Sequence, residues 1–272
     1  MTQSPLTSTT RVPRGLEIAL NGPIGPQRMS DDTLIVDADG WYRTLTPSIA
    51  FSTFNEVLFC NVDHRDPDRH INAVLSEYHD RGLPLAWCVY PWTHPLDLGE
   101  RLQARGATAI KVRAYLVDTA LPLQLVEGVE VERIDPAATE AFDAYFDILG
   151  PGYAMTAEEL AFRRSRYHKL CSGPDPRMHL CLARCEGEYA GCAAMIMKGD
   201  SAHLTTASVL PEFQGRGIFH SLTAAQLADL RNQGIAIADA HANEQSSFWI
   251  ERFGFRFVFP YTIYELPAPT CL

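Results

Sequence analysis

Val209-Leu210-Pro211-Glu212-Phe213-Gln214-Gly215-Arg216-Gly217-Ile218-Phe219 joins an apolar, strand-length run at 203–210 to a segment, 217–233, with the periodicity of a helix. Pro211 stops the strand, because proline donates no hydrogen bond to a sheet ladder. Ile218, Leu222, Ala225, Leu227 and Leu230 then give the helix an apolar face, and Gly234 sits where a left-handed cap belongs. A strand that turns into a helix through two glycines is suited to bind an anion. Glycines let the backbone come close to a ligand, and the helix start offers unpaired amides and the positive end of its dipole. Arg216 adds a full positive charge at the rim. The stretch lacks the Gly-Lys-Ser/Thr of a P-loop and the three-glycine spacing of a dinucleotide site.

The elements around this loop fall into an order. Runs at 179–183 and 189–197, split by Cys185-Glu186-Gly187-Glu188, predict a hairpin ahead of the strand at 203–210. Beyond the helix come a strand at 235–242, a helix at 245–253 ending at Gly254, and a last strand or pair of strands at 255–266. The first half repeats that ending: a helix at 69–81 closed by Gly82, a strand at 84–90, a helix at 96–105 closed by Gly106, and a strand at 107–117. Helix-Gly-strand-helix-Gly-strand occurs twice, which points to an internal duplication. The chain of 272 residues is therefore expected to be α/β with two domains. The expected bounds are a frayed N-terminus at 1–15, a first domain at 16–125 and a second at 126–272. The second opens with a strand at 129–134 and a helix at 136–149.

Composition narrows the partners. With 46% hydrophobic and 21% charged residues, the chain has an ordinary globular make-up. A formal charge of −10 argues against nucleic acid or an anionic membrane, both of which need a basic face. No run approaches the ~18 apolar residues of a membrane span. Seven cysteines is an odd number, and Cys181, Cys185 and Cys192 sit in strand-like runs as reduced thiols do, so a cytoplasmic chain is expected. His64, His70 and His79 make no ligand cluster at close fixed spacing, and no metal is expected.

Gln214, Gly217 and Phe219 occupy the three fixed places of Gln/Arg-x-x-Gly-x-Gly/Ala, the pyrophosphate signature of the GNAT superfamily of acyl-CoA-dependent acyltransferases, which this loop resembles. Phe219 departs from the small residue usual there. Asn243, Ser246 and Phe253-Gly254-Phe255 resemble a second family stretch, and the likeness extends over roughly 129–266. It implies a GNAT-like fold in two tandem domains, the first of them degenerate. It also implies acetyl-CoA or another acyl-CoA as co-substrate, held by Ser208, Val209, Leu210, Gln214, Gly215, Arg216, Gly217, Ile218, Phe219, Asn243 and Ser246. The strands holding Val209-Leu210 and 235–242 should splay to admit the pantetheine.

Amine acylation needs a neutral amine, a stabilised oxyanion and a proton for the leaving thiolate. Many relatives supply that proton from a tyrosine four residues before the helix-ending glycine, a place held here by Ile250. Ser246 is the candidate relay and His241 the candidate base, with Tyr261 or Tyr264 able to reach in from the last strand. Asp239, Thr206 and Tyr153 are the candidate substrate contacts. The expected reaction moves an acetyl or short acyl group to a small-molecule amine, in a monomer or homodimer. Decarboxylation of an acyl-CoA, transfer between thiols, and acyl-CoA sensing without catalysis are the alternatives. In the first half, the stretch before its helix, 59–68, contains no glycine and is acidic, so that domain is expected to bind no CoA.

Overall fold

The structure, a computed structural model, describes residues 13–38, 40–62 and 65–269. In the first half, α1 (Arg14–Asn21) precedes β1 (Leu34–Ala38), β2 (Trp41–Leu45), β3 (Glu56–Cys60), α2 (Pro67–His79), β4 (Leu85–Val89), α3 (Leu98–Gln103) and β5 (Thr108–Asp118). The second half holds β6 (Val129–Arg133), α4 (Thr139–Gly152), α5 (Ala157–Cys171), β7 (Met178–Cys185), β8 (Glu188–Met197) and β9 (Ser201–Val209). It ends with α6 (Ile218–Asn232), β10 (Ile237–Asn243), α7 (Glu244–Arg252) and β11 (Arg256–Leu266).

The described strands form one 11-stranded mixed sheet in the order β1-β2-β3-β4-β11-β5-β10-β9-β8-β7-β6. That order is an exchange between the halves. β5, from the first half, lies between β10 and β11 of the second, and β11 lies between β4 and β5 of the first. Each half therefore ends in an 11-residue strand that completes the other half's sheet. The repeated motif is present as α2-β4-α3-β5 and α6-β10-α7-β11, and the glycines closing its helices, Gly82, Gly106, Gly234 and Gly254, all have positive φ. Glu251 fastens the junction from α7, accepting hydrogen bonds from Tyr115 Oη at 2.7 Å and Arg113 Nη1 at 3.0 Å on β5.

Alternation along the strands assigns the two faces. Ala238, Ala240 and Ala242 of β10 share a core with Leu227 and Leu230 of α6 and with Ile250 of α7. On the opposite face, α1 packs Ile18 and Ala19 against Ala114, Leu116, Phe259 and Tyr261 at the junction of the halves. Helices α4 and α5 cover Cys192, Ala194 and Ile196 of β8 on that same side of the sheet.

Candidate functional site

β9 and β10 run parallel and pair from Ser201↔Ile237 to Leu204↔Ala240, and there the pairing ends. Past that point β9 bulges: Cys192 faces Ser208 and Ala194 faces Thr205, so Thr206 and Ala207 together oppose Ala193. Thr206 has φ of 47°, a left-handed conformation that a β-branched residue adopts only under constraint. A bulge bends its strand, and here it carries β9 away from β10. The residues from Thr205 to Leu210 accordingly change from buried to half-buried. Their backbone edge facing β10 has no ladder partner.

The opening is a small cavity of about 80 Å³, lined among others by Thr205, Thr206, His241, Ser246, Ile250 and Phe255. It meets a groove of about 710 Å³ that runs over Ser208, Val209, Leu210 and the glycine loop to Asn243 and Trp249. Tyr153, Phe219 and Ser246 line both spaces.

The start of α6 explains the groove's chemistry. Gly217 caps the helix at φ 77°, and no side chain caps the first amides of α6. A Cβ at Gly217 would stand 2.6 Å from a Val126 methyl, so glycine is needed for space as well as for φ. Gly215, at φ 79°, has open space around it. Arg216 reaches back to Glu186 Oε2 at 2.9 Å and lies over the Phe213 ring, which keeps its charge at the rim. Phe219 packs against Phe253, ring centres 5.4 Å apart, and forms part of the groove wall. Ile218 is buried beneath the loop.

At the far side, Asn243 caps α7, its Oδ1 accepting from Ser246 N–H at 3.0 Å. The Ser247 hydroxyl is committed to Asn243 O at 2.7 Å, whereas Ser246 lines both spaces. Tyr153, at the end of α4, donates to Ala207 O at 3.3 Å, and Thr206 Oγ1 lies 3.1 Å from Tyr145 Oη. Ile250 closes the inner end of the cavity with hydrocarbon.

His241 is the first β10 residue beyond the paired stretch, and it is enclosed. Its Nε2 lies 2.9 Å from the Ala19 carbonyl, which can only accept, so the proton sits on Nε2. Nδ1 is then the lone pair that receives the Tyr261 hydroxyl at 2.8 Å. Burial pulls the imidazole down to about 3 despite the neighbouring Asp239, so it is neutral at ordinary pH. Asp239 lies behind it, 1% exposed, accepting from His203 Nδ1 at 2.7 Å and outside both spaces. Burial raises the Asp239 carboxyl to about 7. Gly22, just after α1, lies so close that any side chain there would collide with Asp239.

The loop and the β10–α7 corner were legible from residue type and spacing. The roles of the Ala19 carbonyl and the His203–Asp239 pair were not, because a backbone acceptor carries no sequence signal and the pair depends on strand register. Among the described residues no group of three or more His, Cys, Asp or Glu is arranged to hold a metal ion, and no helix is long and apolar enough to cross a membrane.

The sequence pattern of the acetyltransferase (GNAT) domain family matches residues 157–263, from α5 into β11. No curated protein matches the chain. Among solved structures, a functionally unknown conserved protein from Staphylococcus epidermidis superposes with a TM-score of 0.73 at 12% identity, covering 88% of this chain and 96% of that one. A GCN5-related N-acetyltransferase from Kribbella flavida gives 0.65 at 15% identity, covering 94% and 95%. A tandem GNAT protein from the clavulanic acid biosynthesis pathway gives 0.54 at 16% identity, covering 94% and 89%. At these identities the likeness is one of fold. Residues 157–263 thus match the acetyltransferase (GNAT) domain family, and the chain as a whole has a tandem GNAT-like fold.

Proposed function

We propose that the second half binds acetyl-CoA or another short acyl-CoA along the groove and transfers the acyl group to the amine of a small molecule. The carrying observation is the continuity of the open α6 helix start with the gap between β9 and β10. A pyrophosphate at the glycine loop would meet unpaired amides, and the pantetheine would lie along the free edge of β9, pairing with it as an added strand does. The thioester then falls at the bulge, beside Thr206, Ser246 and His241. A cavity of about 80 Å³ bounded by Ile250 and Phe255 suits an acetyl or similarly short group.

Proton handling falls to modest groups. Ser246, which lines both groove and gap, would relay a proton to the thiolate. His241 offers a neutral imidazole already engaged by Tyr261, which makes it a weak base. An acceptor amine of pKa ~7.7–8.0 is partly neutral at physiological pH and needs no stronger one. Tyr153 and Thr206 line the acceptor side, while Asp239 supports His241 from behind.

The test is calorimetric CoA binding followed by single-turnover CoA release from acetyl-CoA across a panel of small amines. Binding and release with at least one amine are expected, and absence of CoA binding overturns the reading. Incubation with malonyl-CoA, followed by mass spectrometry, distinguishes decarboxylation from transfer.

A further inference from the structure

A cavity of about 1060 Å³ lies away from the groove, at the end of the sheet where β9 and β10 begin. Its volume is that of a small-molecule site. Both halves build it: Tyr42 comes from β2, Ile24 from the segment after α1, and Met197 and Ile235 from the second half. Three cations face it. Lys198 is half-buried in the wall, with Arg133 and Arg177 exposed at the mouth.

Lys198 is the informative one. Its ammonium donates to the carbonyls of Asn21, at 2.7 Å, and Ile24, just past the C-terminal end of α1. An ammonium has three donors, and two are accounted for. Among the described residues, neither Lys198 nor Arg177 forms an ion pair. Arg133 has Asp229 at 3.8 Å and Glu17 is paired with Arg14, which leaves Asp175, among the acids lining the cavity, facing Lys198 and Arg177. An enclosed cation without an ion-pair partner is costly. Burial, with Arg28 and Arg177 nearby, pulls Lys198 down to about 8 in spite of the charge on Asp239.

Capping α1 accounts for the two carbonyl bonds. It does not account for a cavity of this size with two more cations at its mouth, in a chain of net charge −10. We propose that this cavity is a second ligand site, for a small organic anion whose carboxylate or phosphate pairs with Lys198 and Arg177 and whose apolar body lies on Ile24, Met197 and Ile235. Occupancy would reach the acyl-transfer gap through charge: Lys198 acts on Asp239, which lies 3.5 Å from His241 Nε2.

The experiment titrates the full chain separately with hexanoate, succinate and inorganic phosphate, by calorimetry and by NMR of the lysine ammonium groups. One saturable site for at least one probe is expected, weakened about tenfold or more in Lys198→Met and in Arg177→Ala, as loss of a charge-assisted contact entails. Gly217→Val should leave that site intact. Arg177 is exposed, so its variant tests the site even where Lys198→Met unsettles α1. No saturable binding of any probe, unchanged binding in both variants, or binding lost with Gly217→Val overturns the proposal. CoA affinity measured on the same proteins keeps the two readings apart, since failure to bind CoA sinks acyl transfer and leaves this site standing.

Discussion

Two strand-to-helix crossings occupy the same place in the repeat and have opposite chemistry. In the second half, β9 enters α6 through Gly215 and Gly217, and α6 begins without a side-chain cap. In the first half, β3 enters α2 through a stretch ending in Asp66 and Pro67, and Asp66 Oδ1 accepts from Arg69 N–H at 3.1 Å. Residues 63 and 64 of that stretch lie outside the described set. One helix start has no side-chain cap; the other is filled by its own carboxylate. The core behind them differs in the same sense. Trp87 of β4 is fully buried, donating Nε1–H to Cys60 Sγ at 3.2 Å, in the region that corresponds to the β9–β10 gap. An internal cap for the helix and a buried aromatic in the sheet are what set the first crossing apart from the second.

The largest effect should come from closing the open crossing. Gly217→Val forces a branched side chain into positive φ and onto Val126, and CoA affinity measured by calorimetry should fall at least about 100-fold, the loss of roughly two charge-assisted amide contacts. Gly215→Ala, strained but unobstructed, should lose about tenfold. If both variants bind CoA as the parent does, the distinction between the crossings fails. Ile250→Tyr returns the family's usual acid to the gap. Overpacking should cost about 1–3 kcal/mol in thermal unfolding, and single-turnover CoA release should accelerate if protonation of the thiolate limits the step.

Each half also buries a carboxyl near the start of its parallel strand pair. Glu56 is held to Arg28 at 2.5 Å yet raised to about 7 by burial, and Asp239 is raised to about 7 alike. A raised carboxyl contributes stability below its unfolded pKa and loses it as pH rises through the folded value. His241, lowered to about 3, works the other way, but its contribution is complete by about pH 6.5. Stability should therefore decline between about pH 6.5 and 8, and Glu56→Gln should shallow that decline in denaturant titrations. The smallest effect is Asp66→Ala, which should cost about 1 kcal/mol of stability by removing a helix cap and leave CoA affinity unchanged.

Much of the second half was legible because its signals are local. Helix α6 needs only its apolar spacing and flanking glycines, and the hairpin of β7 and β8 turns at Glu186 and Gly187, both at positive φ. The opening of the first half was opaque for an equally physical reason. All of β1 is exposed, so no alternation marks it as a strand, and α1 shows its purpose only against a distant sheet. Spacing showed the repeat and was silent on the exchange of final strands, because pairing partners far apart in sequence leave no local trace. At the site, Gln214 to Gly217 announce their chemistry by type. His241 does not, since its tautomer is set by a carbonyl more than two hundred residues earlier.

The exchange of β5 and β11 has a consequence for how the chain comes into being. As synthesis proceeds, the first half emerges while the strand destined for its sheet is still unmade, and it carries in β5 a strand whose neighbours on both sides are also unmade. Neither sheet can close early. β11, made after the other described strands, finishes the unit produced first, so the sheet cannot close until it has emerged, and a chain cut short before β11 leaves both halves unfinished.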